Sequence, residues 1–243
     1  MTGVQTCALP ISDFRRAARL ADCTLNDLVI HRLFGALRDL FARRDPLRRH
    51  RLRLFIPMDL RGNPHNQCQV GNSVGMLHID RVVGPSVRPG DGPSDVDAPS
   101  LASVAKDMKV NRKYQMGRAL IVSLEASIGL LGSPRWMLSP KYCGATCVLT
   151  NLKAPLSDSS LKGPNGRLQV GSVMLESVDL FPPVRPMTPA CFGLLTYGDE
   201  LRLNLRFQPA TFPVDDAEYL LARLTDLLHQ TVATSRDPGQ VDL

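Results

Sequence analysis

Two hydrophobic periods run along this chain. Leu25, Leu28, Val29, Leu33, Leu37, Leu40 and Phe41 recur at helical spacing and make one apolar face. Thr24 suits the N-cap of that helix, and Asp27 puts negative charge at the positive end of its dipole. A shorter helical pattern, 12–21, precedes it, and the basic run with Pro46 ends it. Period two follows. Residues 51–60 predict a strand with Leu52, Leu54 and Ile56 on one face, and 71–83 predict a second, entered through Gly71-Asn72. The stretch 62–69 between them is polar and turn-like. Residues 101–131 predict helix broken around Gly117, with Gly132-Ser133-Pro134 as punctuation. Strands are predicted at 146–152 and 168–178, and Pro182, Pro183, Pro186 and Pro189 hold an extended crossing segment. The sharpest local signal is 191–197 and 200–207, two strands around Gly198-Asp199, a two-residue hairpin turn. In the second strand Leu201, Leu203, Leu205 and Phe207 face one way. Glu200, Arg202, Asn204 and Arg206 face the other, which predicts one buried and one wet face. Residues 214–232 predict an amphipathic helix, opened by Pro213, Asp215 and Asp216. Its apolar face is Ala217, Leu220, Leu221, Leu224, Leu227 and Leu228.

The order is helix, two strands, long helix, four strands, helix. It predicts an α/β, two-layer sandwich: a mixed β-sheet covered by helices. Residues 12–236 read as one lobe, with a flexible loop at 84–99 rich in Gly, Pro, Asp and Ser, and a tail at 237–243. The first eleven residues, MTGVQTCALPI, stand apart. They resemble the conceptual translation of a sequencing-library adapter read from a GTG start, so 1–11 are set aside as foreign. On that reading the gene is cut near codon 12 and the parent protein continues upstream.

Composition narrows the classes. An apolar fraction of 44% is sufficient for a core. No run of about 18 apolar residues predicts a transmembrane helix, and no secretory leader is visible. Cys7, Cys23, Cys68, Cys143, Cys147 and Cys191 form no CxxC pair, and read as reduced thiols of a cytoplasmic protein. The net charge of +6 raises the question of an anionic partner, and the basic residues concentrate at 43–53. That run has no interleaved aromatics for base stacking, which argues against nucleic acid. It remains open between a solvated helix end and contact with a phosphorylated carrier or cofactor.

A catalytic engine is harder to find. The histidines are His31, His50, His65, His78 and His229, and none lies in an HExxH or other metal pattern. His78 and Asp80 share a strand face and could form a base–orienter pair, although ordinary surface polarity accounts for them as well. Phosphate-binding loops and GxGxxG are missing.

Several segments, in order, resemble the C-terminal half of the chloramphenicol-acetyltransferase-like superfamily. Its members include condensation domains, alcohol O-acetyltransferases and wax ester synthase/diacylglycerol acyltransferases. The matching segments are Thr24-Leu25-Asn26-Asp27-Leu28-Val29, then Phe55-Ile56-Pro57-Met58-Asp59-Leu60-Arg61 (close to "VPVDLR"), then Val70-Gly71-Asn72-Ser73-Val74-Gly75. Leu149-Thr150-Asn151-Leu152 and Phe192-Gly193-Leu194-Leu195-Thr196-Tyr197 complete the set.

The resemblance implies one lobe of a CoA-dependent-acyltransferase-like pseudo-dimer with a tunnel between its halves. It implies acyl transfer from a CoA or carrier-protein thioester to an alcohol or amine. The base would be the second histidine of an HHxxxD motif on the N-terminal lobe. This sequence contains no HHxxxD, so no catalytic residue is assigned and the fragment alone is expected to be inactive. Asp59 and Arg61 match the strand end whose arginine holds the HHxxxD aspartate across the lobes. Asn72, Ser73, Thr150 and Asn151 match strand ends that line the tunnel. Only the Phe192-Gly193 part of the plant-type DFGWG motif is kept, and it is assigned to packing. The expected partners are the missing N-terminal lobe and acyl-CoA or a phosphopantetheinyl carrier, as co-substrate rather than as a bound cofactor. No metal site, nucleic acid or transmembrane segment is expected. The alternative is a non-catalytic binding or scaffold lobe that pairs with another chain.

Overall fold

A computed structural model describes residues 3–60, 74–84, 100–132, 144–154, 159–163, 166–184 and 188–236. The elements are β1 (Gly3–Pro10), α1 (Ile11–Leu20), α2 (Leu25–Arg44), β2 (His50–Asp59), β3 (Val74–Val83), α3 (Leu101–Lys113) and α4 (Met116–Leu131). They continue with β4 (Cys147–Asn151), β5 (Gln169–Val170), β6 (Val173–Met174), β7 (Ala190–Tyr197), β8 (Glu200–Phe207) and α5 (Val214–Arg236). Six strands form one mixed sheet in the order β1-β8-β7-β4-β2-β3. Strands β2, β4 and β7 run parallel, and the other pairings are antiparallel. The predicted α/β layering is observed.

The core lies between this sheet and its helices, because the period-two and helical faces meet there. Leu52, Leu54 and Ile56 of β2, Leu149 of β4 and Leu201, Leu203 and Leu205 of β8 are buried. Against them pack Leu33, Phe34, Leu37 and Leu40 of α2 and Leu220, Leu224 and Leu228 of α5. Arg223 of α5 donates to Asp39 of α2 at 2.7 Å and ties the two helices.

Helix α2 starts where its N-cap chemistry requires. The Asp27 amide donates to Thr24 Oγ1 at 3.2 Å, and the Thr24 amide donates back to Asp27 Oδ2 at 3.0 Å. This capping box satisfies two donors that a helix start leaves without partners. Thr24→Ala is expected to cost about 1 kcal/mol, read as a lower urea midpoint at unchanged slope.

Three expectations change in the structure. First, 168–178 is not one strand. It folds on itself as the small β5–β6 hairpin, turning at Gly171 with φ +59°. Gly171-Ser172 is a turn signal that alternation over the neighbouring residues obscures. Second, the outer face of β8 is not wet. Asn204 is fully buried, and Arg202 is bound to Asp179 (2.8 Å) and Glu200 (2.9 Å). The segment that reaches β7 crosses this face. A Cβ on Gly193 would collide with the Leu180 carbonyl oxygen, so only glycine allows that approach. Third, the long helix breaks at Gln115, in the left-handed region with φ +47°, two residues before Gly117. Gly117 instead lies in the first turn of α4, against the backbone of Gly75. Residues 3–10, set aside in the sequence, form the edge strand β1, pairing with β8 along its length, with Leu9 buried opposite Leu201. An open strand edge offers a row of backbone donors and acceptors to any extended chain. The 237–243 tail and, Gly84 apart, the 84–99 loop lie outside the described residues.

On the sheet face away from the helices, Arg53 (2.6 and 2.7 Å) and Arg51 both donate to Asp80 of β3. The hydrogen bonds from Arg53, then Arg51, outweigh burial and hold the Asp80 carboxyl down at about 2, from 3.8. Its stabilisation is therefore complete above about pH 4 and lost as pH falls towards 2. Asp80→Asn should remove about 1–2 kcal/mol at neutral pH, after allowance for solvent screening. It should also flatten the stability–pH curve in that acid window, which urea unfolding at several pH values would register.

Candidate functional site

The carboxyl ends of β2, β4 and β7 lie together, and ligands of α/β sheets gather at such ends. The N-terminus of α2 reaches the same place because α2 returns antiparallel to β2 through a short turn. Between them opens a cleft of about 630 Å³. Pro57, Met58 and Asp59 line it from β2, Asn151 and Lys153 from the end of β4, and Asn26 from α2.

Asn151 is oriented from two sides. Its Nδ2 donates to Asn26 Oδ1 at 3.3 Å, and its Oδ1 accepts from the Lys153 amide at 2.8 Å. Lys153 has φ +50°, and its carbonyl accepts from the buried Thr196 amide at 2.6 Å. The strand end is thus fixed by backbone and side-chain bonds together. Cationic side chains of Arg15, Arg112 and Lys153 border the cleft, and Arg112 lies 3.7 Å from the buried Asp27 carboxylate.

Of the residues singled out in the sequence, Asp59 and Asn151 come together here. Thr150 is half-buried and absent from the cleft lining. It alternates with Leu149 and Asn151, so it faces the opposite side of the sheet. Arg61, Asn72 and Ser73 lie outside the described residues. Arg15, Arg112 and Lys153 were not singled out in the sequence. They come from three separate segments, and no local motif joins them. Asn26 and Thr196 were legible only as parts of the helix-start match and the Phe192–Tyr197 match.

The cleft holds polar and cationic groups but, among its described residues, no histidine. His78 is exposed on β3, and the carboxylate two residues on, Asp80, is committed to Arg51 and Arg53. The described thiols Cys7, Cys23 and Cys147 are free. Burial, then the carboxylates of Asp27 and Asp22, push the Cys23 thiol up to about 11. It is therefore not a thiolate nucleophile at neutral pH. No group of three His, Cys, Asp or Glu side chains suited to a metal ion occurs among the described residues. No helix among them is long and apolar enough to cross a membrane.

The sequence matches no family model and no curated protein. Solved structures do match. A wax ester synthase/diacylglycerol acyltransferase from Marinobacter aquaeolei VT8 aligns at TM-score 0.54 and 19% identity, over 97% of this chain and 48% of its own. A structure of condensation domain-mediated chain release from the enacyloxin polyketide synthase aligns at 0.57 and 15%, over 100% of this chain and 43% of its own. The epimerization domain of the third module of tyrocidine synthetase B aligns at 0.60 and 15%, over 98% and 49%. The chain therefore spans about half the length of these structures. Its fold is the one these structures share over about half of their length.

Proposed function

We propose that this chain is the C-terminal lobe of an enzyme that moves an acyl group from a CoA or carrier-protein thioester to an alcohol or amine. The observation that carries the reading is the cleft at the carboxyl ends of β2 and β4, in a chain with the fold of a single lobe. In the complete enzyme the histidine of HHxxxD on the other lobe takes the proton of the acceptor. The acceptor oxygen or nitrogen bonds the acyl carbon, the carbon–sulfur bond breaks, and the departing thiolate takes up that proton. An imidazole near neutral pKa suits both transfers.

The residues of this chain position rather than exchange protons. Arg61, two positions along the chain from the last residue of β2, Asp59, holds the aspartate of HHxxxD. Asn151 contributes to the tunnel wall, a role supported by the two bonds that orient its amide. Asn72 and Ser73 are assigned to the same wall; Thr150, assigned there by the resemblance, faces the other side of the sheet from Asn151. The thioester is a co-substrate rather than a resident cofactor. The free thiols of Cys7, Cys23 and Cys147 support a reducing, cytoplasmic setting.

The test is the source DNA upstream of codon 12. The expected finding is an in-frame half-domain of roughly 150–200 residues containing HHxxxD. A stop codon followed by a genuine start near Ser12 would overturn the proposal in favour of a lobe that binds or scaffolds by itself.

A further inference from the structure

Helix α4 is mostly apolar, yet most of its described residues are exposed. Between Met116 and Leu130 it carries one base, Arg118, and one acid, Glu125. Helices of that composition are normally buried. Here Leu130 is 84% exposed and Val122 58% exposed, and Met116, Leu120 and Ile128 are exposed as well. The helix is seated at its start, where Gly117 meets the backbone of Gly75. Its polar side chains are already satisfied: Ser123 Oγ donates to the Leu120 carbonyl at 2.9 Å and Ser127 Oγ to the Ser123 carbonyl at 2.7 Å. Serines bonded back into their own helix lose little on leaving water.

The charge next to α4 says what covers it. Lys106, Lys109 and Lys113 on α3 and Arg118 on α4 are exposed, while Arg112 borders the cleft and pairs with Asp27. The acid among the α3 cations, Asp107, is engaged by Arg81 at 2.6 Å. A cationic collar beside an apolar helix complements an anionic lipid surface. The headgroups meet the bases, and the acyl boundary receives the apolar face. A second copy of the chain would bring two such collars together, which charge opposes. At 16 residues α4 is about 24 Å long, enough to lie in the interface.

We infer that α4, with the basic end of α3, seats this protein on an anionic lipid surface. The inference needs no acyl chemistry and survives if the proposed function fails. Flotation of the full chain through a density gradient tests it, because vesicles rise and protein aggregates sink. The vesicles are equal parts phosphatidylglycerol and phosphatidylcholine, with phosphatidylcholine alone as comparison. The chain should float with the anionic vesicles and about tenfold or more less with neutral ones. Val122→Glu with Leu130→Glu changes exposed positions only, so far-ultraviolet circular dichroism should be unchanged while flotation falls about tenfold or more. Lys109→Glu with Lys113→Glu should lower flotation with anionic vesicles and remove most of its salt dependence. Failure of the wild-type chain to float, equal flotation with neutral vesicles, or undiminished flotation of V122E/L130E would each overturn the inference. So would a wild-type dimer that V122E/L130E converts to monomer with no vesicle binding in either, or flotation that is abolished when the HHxxxD-bearing lobe binds the chain, since a second copy or that lobe would then cover α4.

Discussion

Phe192→Ala should destabilise the chain by about 3–5 kcal/mol. Phe192 has no exposed surface and sits on β7, between β4 and β8, with its ring in the core. Removing the ring loses its transfer free energy and leaves a cavity that flanking strands on both sides cannot close. At about 2–4 °C per kcal/mol for a domain of this size, the melting temperature should fall by roughly ten degrees. The neighbouring Gly193 should respond to the opposite change. Gly193→Val places a side chain where the Leu180 carbonyl oxygen already lies, so overpacking of about 1–3 kcal/mol or more is expected. Urea unfolding reads both as lower midpoints. Unchanged midpoints would mean that the Phe192-Gly193 pair, assigned here to packing, serves something else.

The second large effect is kinetic. Assayed alone with acyl-CoA and a panel of alcohols and amines, the chain should turn over about 100-fold to 10,000-fold more slowly than when a lobe bearing HHxxxD is supplied. That range is what a positioned general base contributes. Half of a tunnel also forfeits the alignment of thioester and acceptor, which adds to the loss. Restored activity should rise with pH through the imidazole range, near about 6.5. Equal turnover by the chain alone would place the base within these 243 residues and end the two-lobe reading.

Much of the fold could be read without coordinates, for local reasons. Thr24 and Asp27 announce a helix start because the capping box is built from neighbours in sequence. The Gly198-Asp199 hairpin and the apolar face of α5 are likewise written within one element, as turn chemistry and as period 3.6. Local patterns misled where a distant segment intervened. Alternation in β8 implied a wet face, but the chain near Asp179 and Leu180 returns across it and buries Asn204. The α4 pattern has the composition of a core helix, yet the fold leaves it outside.

Asp59 and Asn151 entered the reading through strand-end motifs, and both line the cleft. Their setting was beyond such motifs. Asn26 meets Asn151 across 125 positions of chain, and Arg15, Arg112 and Lys153 converge only once α1, α3 and β4 are in place. Local free-energy differences select helices, strands and turns, so residue order alone carried those. Which strand ends share a cleft, and which faces stay uncovered, depends on contacts closed over long loops, and these form only when the layers pack.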